Sequence, residues 1–566
     1  MVSPRPHRLP RLACIAFVGI SLVSASEKDP LSAGVDAIFA RWDKPDSPGC
    51  VCAVIREGKL VHVRGYGMAD MEHAESLSAN SVFYIASTSK QFTAASIALL
   101  VLDGKLSLDD DIRQHVPEMP ERSPPITVRH LVHHTSGLPD YFALLSFTGW
   151  TDADYFNNDM VVRLLASQRT LAFEPGARHA YSNSNYVLLA EIVKRVSGHS
   201  LRQFADERIF QPLGMKHTHF DDDYHQIVPH RVISYAPKPG GGWNQLLKEF
   251  DGYGDGNLLT TVEDLARWDE NFTTGQVGGR PFLDLILTRG KLSTGKDLDY
   301  AFGLGHGKYR GLETVSHAGA FKGFRTQMIR FPQQKFTVIV LSNAANFDGR
   351  DVNKVADLYL ESQFAEPRPA APSTGASAIK REPVKIDSKR FDDYAGNYEL
   401  NRAPGFVISF TREGDRYFAQ ATGQSRAEIF PSSENTFFYT IVDAQLTFHR
   451  ESDGSVRRMT LHQGGNQEAT RVVSTTLPAS ELAAYTGSYT SYELDTTYRL
   501  ELEKGQLVSM HSRMGTLPLA ARARDHFTAA GTRIEFVRDA GSNITGMTLS
   551  GRGVENLVFE RQDRRN

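Results

Sequence analysis

A chain of 566 residues with a formal net charge of -3 is longer than one hydrophobic core can serve, so about three domains are expected. Apolar residues make up 41% and charged residues 23%, the balance of a water-soluble globular protein. The slightly acidic total speaks against nucleic acid as a partner, because such proteins present a basic face.

Arg5, Arg8 and Arg11 precede an apolar stretch at residues 12–23 that is too short to cross a bilayer as a helix. Val23-Ser24-Ala25 supplies small residues for cleavage, so residues 1–25 read as a signal peptide and the mature protein as periplasmic or secreted. An uncleaved anchor is the alternative. Pro4, Pro6 and Pro10 are untypical of a signal, and Cys14 comes too early for a lipidation site. No later segment has the length and apolarity of a membrane span, so no stable membrane insertion is expected after cleavage.

The first large unit is expected at residues 27–364. It opens with a helical stretch around Val35–Phe39 and a strand over residues 49–55. Cys50 and Cys52 alternate onto one face of that strand, a poor geometry for a disulfide and a poor metal site without histidines, so both read as small core residues. Glu57-Gly58-Lys59 reads as a hairpin turn, with Leu60–Val63 as the return strand. Phe92, Ala95, Leu99 and Leu102 recur at helical spacing until Asp103-Gly104 stops the run. A mixed helical region extends to about Trp268, and residues 301–305 and 336–341 read as strands. Strands at both ends with helices between suggest an α+β domain whose single antiparallel sheet is completed by the two ends of the segment.

Prolines 367, 369, 372 and 383 among small residues mark a linker at residues 365–383. Strand-like sequence follows, including Phe406–Phe410 and Tyr498–Leu502. Tyr394-Ala395-Gly396-Asn397-Tyr398 recurs 91 residues later as Tyr485-Thr486-Gly487-Ser488-Tyr489, and Phe448–Leu461 matches Phe536–Leu549 at an offset of 88. Two ordered matches at nearly equal offsets predict a duplicated all-β unit, residues 384–475 and 476–566, each barrel-like.

The chemistry begins at Ser87-Thr88-Ser89-Lys90. Residues three apart on a helix share a face, which sets a hydroxyl beside an amine at the positive end of the helix dipole. Serine is a poor nucleophile until a base takes its proton, and an amine in a partly dry pocket can be that base. Alone the pattern is weak: S-x-x-K arises by chance about once in 200–300 positions, and a capping serine with a solvated lysine explains most instances.

Two further patterns follow in order. In Tyr181-Ser182-Asn183, a phenol on the loop before a helix can face the serine and an amide can donate a hydrogen bond. A phenol with an ordinary pKa near 10 serves as a base only beside a cation such as Lys90. His317-Ala318-Gly319-Ala320 is a strand edge of small residues along which a substrate could lie. Its amide and that of Ser87 could form an oxyanion hole, worth a few kcal/mol in a transition state. A surface tyrosine, a capping asparagine and a strand-end histidine are the bland alternatives.

Together these elements resemble the three signatures of the penicillin-recognising serine hydrolases, which include class C β-lactamases, DD-peptidases, D-aminopeptidases and related esterases. The resemblance covers roughly residues 33–364 and extends to His133-His134-Thr135-Ser136-Gly137-Leu138-Pro139 and Leu259-Thr260-Thr261-Val262-Glu263-Asp264-Leu265. It implies a β-lactamase/transpeptidase-like fold with Ser87 as acylated nucleophile, Lys90 as its activating amine and Tyr181 as shared base and acid. Asn183 would orient substrate, His317 and Gly319 would line the third edge, and the amides of Ser87 and Ala320 would hold the oxyanion. No cofactor or metal is implied; the adjacent His133 and His134 read as structural. Many members that bind a substrate carboxylate carry lysine where this chain has His317, and a mostly neutral imidazole is a weaker anchor. That favours a D-aminopeptidase-like peptidase or esterase over a β-lactamase or DD-carboxypeptidase, with Lys322 and Arg325 as nearby substitutes for the missing charge. A non-catalytic cell-wall or peptide-binding protein is the non-enzymatic alternative. A catalytic domain followed by two β domains is also similar to the D-aminopeptidase layout.

Overall fold

The computed structural model describes residues 29–562 except 152, 367–382, 402–405, 423–425, 441, 443, 464, 473–474 and 476. The expected signal peptide and most of the expected linker therefore lie outside the described residues.

The catalytic unit is built on one six-stranded antiparallel sheet. Its strands are β1 (Cys50–Arg56), β2 (Lys59–Tyr66), β3 (Gly305–Tyr309), β4 (Leu312–Phe321), β5 (Phe324–Phe331) and β6 (Phe336–Ser342), in the spatial order β3-β4-β5-β6-β1-β2. The two ends of the segment do close the sheet: β1 pairs with β6 from Cys50 opposite Ser342 to Arg56 opposite Phe336. The β1–β2 turn places Glu57 and Gly58 at φ of 51° and 73°, the left-handed pair that a tight hairpin turn of matching twist requires. β1 is buried on both faces, with Val51 and Ala53 in the cluster beneath the large helical layer and Cys50 and Cys52 in a second cluster on the other face. Both cysteines are free, as their shared face predicted. Burial raises both thiol pKa values, which keeps them inert.

One expectation is corrected. Residues 301–304 are not a strand but a turn leading into β3. Gly303 adopts φ of 69°, and a Cβ there would lie 2.5 Å from the Gln91 nitrogen, so the turn is pressed against the start of the Lys90–Leu102 helix. That helix is buried all round from Lys90 to Leu100, not along one stripe, which explains its three alanines and Ser96. Small side chains let neighbouring elements approach it closely.

The first β unit, Gly396–Val472, is a closed eight-stranded barrel, and the second, Gly487–Gln562, is a nine-stranded, nearly closed sheet. The repeat is visible in atomic detail. Gly396 and Gly487 sit at φ of 134° and 145°, each under an arginine, Arg471 and Arg561. Arg471 donates to the Ala395 carbonyl as Arg561 does to that of Thr486. Tyr394 lies 4.6 Å from Phe448, as Tyr485 does from Phe536. Among the described residues no helix is long and apolar enough to cross a membrane.

Candidate active site

Ser87 lies on a tight helical turn, Ala86–Ser89, that runs directly into the Lys90–Leu102 helix. Ala86 holds φ of 48°, a left-handed conformation that a residue with a Cβ keeps only when its surroundings impose it. The central sheet imposes it here. Thr326 of β5 donates its hydroxyl to the Ile85 carbonyl at 2.9 Å, so the 2.9 Å contact between Thr88 and Thr326 has Thr88 as donor. Gly319 of β4 backs onto the same turn, and a Cβ there would fall 2.3 Å from the Ile85 oxygen. Only glycine allows strand and turn to meet this closely.

Lys90 is fully buried, and its Nζ lies 3.1 Å from Ser87 Oγ, 2.8 Å from Asn183 Oδ1 and 2.6 Å from the Asp255 carbonyl oxygen. The Asn183 amide is oriented by Asp140, whose Oδ2 accepts from both Asn183 N (2.7 Å) and Nδ2 (2.8 Å). A carboxylate only accepts, so Nδ2 must face it and Oδ1 must face Lys90. Two of the three Lys90 contacts are therefore obligate acceptors. The third direction, toward Ser87, is left for either a donated hydrogen or the lone pair that receives the serine proton.

Asp140 is itself set by capping the Tyr141–Phe147 helix, accepting from Phe142 N at 3.0 Å. Asn183, expected as a substrate-orienting donor, thus commits one Nδ2 hydrogen to Asp140 and its oxygen to Lys90. Its remaining hydrogen can serve a ligand, and the residue lines the cavity beside Ser87.

Tyr181 stands over Lys90, with Nζ 4.9 Å from its ring centre, and lines an open cleft together with Ser87. His134 holds it there. The buried His134 ring packs 4.3 Å from Tyr181 and 5.0 Å from both Tyr186 and Tyr300. His134 Nδ1 accepts from Ser182 N at 3.2 Å and lies 3.1 Å from Asn185 Nδ2. Burial and the Lys90 charge depress its pKa well below the usual imidazole value, so it is a neutral packing ring, as its reading as a structural residue anticipated. His133 caps the end of the short Val128–Val132 helix and is likewise buried.

His317 lies on β4 beyond Ser316, the last residue of that strand paired with β3, so residues 317–320 form an edge turned toward the Ala86–Ser89 turn. Its Nδ1 contacts the Ala318 carbonyl at 2.7 Å and its Nε2 the Tyr300 hydroxyl at 3.2 Å. Desolvation first, and then Lys90, push its pKa down to about 4. The carbonyl must accept, so the neutral ring carries its hydrogen on Nδ1. Arg325 of β5 lines the same cleft, with Nη1 donating to the carbonyls of Lys322 (3.0 Å) and Phe324 (2.7 Å). Lys322 sits at the turn between β4 and β5.

Ser87 and Ala320 line two spaces at once. One is a cavity of about 610 Å³ walled by Tyr84, Tyr141, Phe142 and Phe250, with Asn183 and Asp255 as its polar members. The other is the open cleft of about 1080 Å³ bordered by Tyr181, Tyr300, His317 and Arg325. A scissile group at Ser87 would have one half in each. Among the described residues no cluster of three or more His, Cys, Asp or Glu side chains gathers as a metal site would need.

The structure thus brings Ser87, Lys90, Tyr181, Asn183, His317, Gly319 and Ala320 into one site. Sequence reasoning missed Asp140, Tyr300, Thr326 and Asp255. Asp140 alone carried a local signal, an acid one residue before a helix.

A strained serine turn, an amine in hydrogen-bond reach and a sheet edge beside it define a β-lactamase-type serine hydrolase. The Beta-lactamase family model matches residues 35–361, and the chain belongs to that family. A second model, a domain of unknown function (DUF3471), matches residues 380–473, the closed barrel. The chain is 31% identical over 433 residues to penicillin-binding protein 4* of Bacillus subtilis (strain 168), covering 73% of this chain and 93% of that protein. It is 24% identical over 526 residues to the D-aminopeptidase of Brucella melitensis biotype 1, covering 90% and 95%. The octameric penicillin-binding protein homologue from Pyrococcus abyssi shares the fold, with a TM-score of 0.54 at 21% identity over 78% of this chain and 99% of that one.

Proposed function

We propose that this serine hydrolase cleaves amide or ester bonds through an acyl intermediate on Ser87, acting as a D-aminopeptidase-like peptidase or esterase outside the cytoplasm. The observation that carries the reading is the Lys90 environment, in which two fixed acceptors leave the third direction of Nζ pointing at Ser87 Oγ. Lys90 takes the serine proton as Oγ attacks the carbonyl, and the Ser87 and Ala320 amides receive the oxyanion. Tyr181, in contact with the Lys90 charge, relays the proton to the leaving group. The amine or alcohol departs, and water attacks the ester by the same route in reverse. The relationship to the D-aminopeptidase supports the substrate class, and the basic and apolar N-terminal segments support export.

Ser87→Ala is expected to abolish hydrolysis of p-nitrophenyl esters and D-aminoacyl p-nitroanilides, and a fluorophosphonate probe should label the native protein but not the variant. Full activity in the variant would overturn the mechanism, and absence of labelling in the native protein would indicate an inert binding scaffold. The relationship to penicillin-binding protein 4* keeps β-lactamase or DD-carboxypeptidase activity as the second reading, which rapid nitrocefin turnover or release of D-alanine from a pentapeptide would promote.

A further inference from the structure

A cavity of about 590 Å³ lies in the terminal sheet, where Ser146 and Phe147 of the catalytic unit meet it, and it shares no lining residue with the spaces beside Ser87. Its apolar walls are Leu500, Leu517, Ala529, Ile534, Met547 and Leu549. A barrel of about eight strands has an interior that side chains either fill or leave open for one small ligand. The duplication shows which has happened in each copy. Gly396 pairs with Phe410 as Gly487 does with Leu500, so Leu500 stands where the closed barrel has Phe410. Phe437 pairs with Leu446 as Phe527 does with Ile534, so Ala529, two residues on, stands where the closed barrel has Tyr439. Phe410 and Tyr439 both pack into the core of the closed barrel. The rings that the terminal sheet gains, Tyr498 and Phe559 in place of Ile408 and Ala469, stack on each other at 4.9 Å and leave the space open.

The polar groups of the lining carry one sign of charge. Arg552 is its one charged residue, and no carboxylate lines it. Arg552 Nη1 donates to Ser146 Oγ at 3.0 Å, and Ser146 gives its own hydrogen to the Ala143 carbonyl at 2.7 Å. Among the described residues Arg552 makes no other side-chain hydrogen bond and no ion pair, so most of its five N–H donors are unclaimed. The buried hydroxyls of Ser509 and Thr532 also line the cavity and make no hydrogen bond among the described residues. Thr532 lies at the Arg552 end, since a Cβ on Gly551 would fall 3.5 Å from its Cα. His511 adds no charge. Burial lowers its pKa, its Nδ1 accepts from the amides of Arg513 and Met514, and its Nε2 hydrogen goes to Thr496 Oγ1.

We propose that the terminal sheet binds a short-chain alkyl carboxylate, with the chain in this cavity and the carboxylate on Arg552 at its mouth. A planar guanidinium with free donors matches a carboxylate, and the apolar walls match the chain. The site is separate from the Ser87 chemistry and stands or falls without it.

Calorimetry on the full chain with butanoate, hexanoate, octanoate and 1-octanol tests the site. Affinity should rise roughly fourfold for each methylene from butanoate to octanoate as the chain is buried. Octanol, which lacks the charge, should bind at least tenfold more weakly than octanoate. Arg552→Gln, at an exposed position, should lower octanoate to the affinity of octanol. Ala529→Tyr and Leu500→Phe, which return the residue sizes of the closed barrel, should each abolish binding while the variant still unfolds cooperatively. In the native protein, absence of binding, equal affinity of butanoate and octanoate, or equal affinity of octanoate and octanol would overturn the proposal. So would octanoate binding that Arg552→Gln leaves unchanged, which would place the ligand elsewhere.

Discussion

At the scale of single residues, substrate choice in the open cleft turns on His317. Its Nδ1 hydrogen goes to the Ala318 carbonyl and its Nε2 takes the Tyr300 hydroxyl, so both ring nitrogens are committed within the protein. With its pKa pushed down to about 4, the ring carries no charge at neutral pH to offer a carboxylate. His317→Lys should restore that charge. A charge-assisted hydrogen bond contributes about 1.5–3 kcal/mol, roughly ten- to a hundredfold in kcat/KM. The expected outcome is a gain of that size for nitrocefin, which bears a carboxylate. Turnover of a neutral p-nitrophenyl ester should change far less. An unchanged nitrocefin rate would move carboxylate recognition to Arg325, which lines the same cleft.

Elements, more than residues, explain what was legible in the sequence. Ser87 and Lys90 lie on one turn, and Tyr181 and Asn183 on one loop, so their spacing is local and a pattern in the chain reports it. Thr326, Tyr300 and Asp255 act through contacts that exist only once β5, the 301–304 turn and the loop before residue 258 have folded onto the serine turn. No spacing encodes such meetings. The expected strand at 301–305 fails over 301–304 for the same reason, since its short apolar run is strand-like while Gly303 is shaped by its contact with the Lys90–Leu102 helix. A methyl group at Gly319 would fall 2.3 Å from the Ile85 oxygen and 2.4 Å from Thr326 Oγ1, neither of which is a flexible side-chain end. Gly319→Ala should therefore push the serine turn off β4, costing about 1–3 kcal/mol in stability. Activity should fall at least a hundredfold, because Ser87 and Ala320 would lose their common geometry. Thermal unfolding and ester hydrolysis measured on one preparation check both. Near-native activity would show that the turn yields without disturbing the chemistry.

Across the whole molecule, the two β units are attached differently. The closed barrel buries its own separate cluster, centred on Phe391, Tyr398, Phe437 and Phe448. The terminal sheet instead shares one continuous cluster with the catalytic unit, its Tyr485, Leu500 and Phe559 joining Leu144 and Leu165. Polar contacts reinforce the seam: Glu493 accepts from Ser167 and Arg169, and Arg513 pairs with Asp154, whose carboxyl it holds down at about 2. At the centre, Tyr498 donates to the Phe147 carbonyl at 2.7 Å. Phe147 ends the helix that begins at Tyr141, and Tyr141 and Phe142 wall the cavity beside Ser87. The terminal unit thus backs that wall, and none of its described residues lines that cavity or the open cleft. Tyr498→Phe removes the donor and leaves a buried carbonyl unpaired, a cost of about 1–3 kcal/mol. The shared core and the wall should feel it together, as a lowered midpoint for the transition that includes the catalytic unit and a several-fold rise in KM for an aromatic acyl substrate. The kcat should change little, since Ser87 and Lys90 are fixed by β4, β5 and Asn183. A lowered midpoint with unchanged KM would mean that the helix is held by the catalytic unit alone, and the terminal sheet would then stabilise the fold without shaping the site.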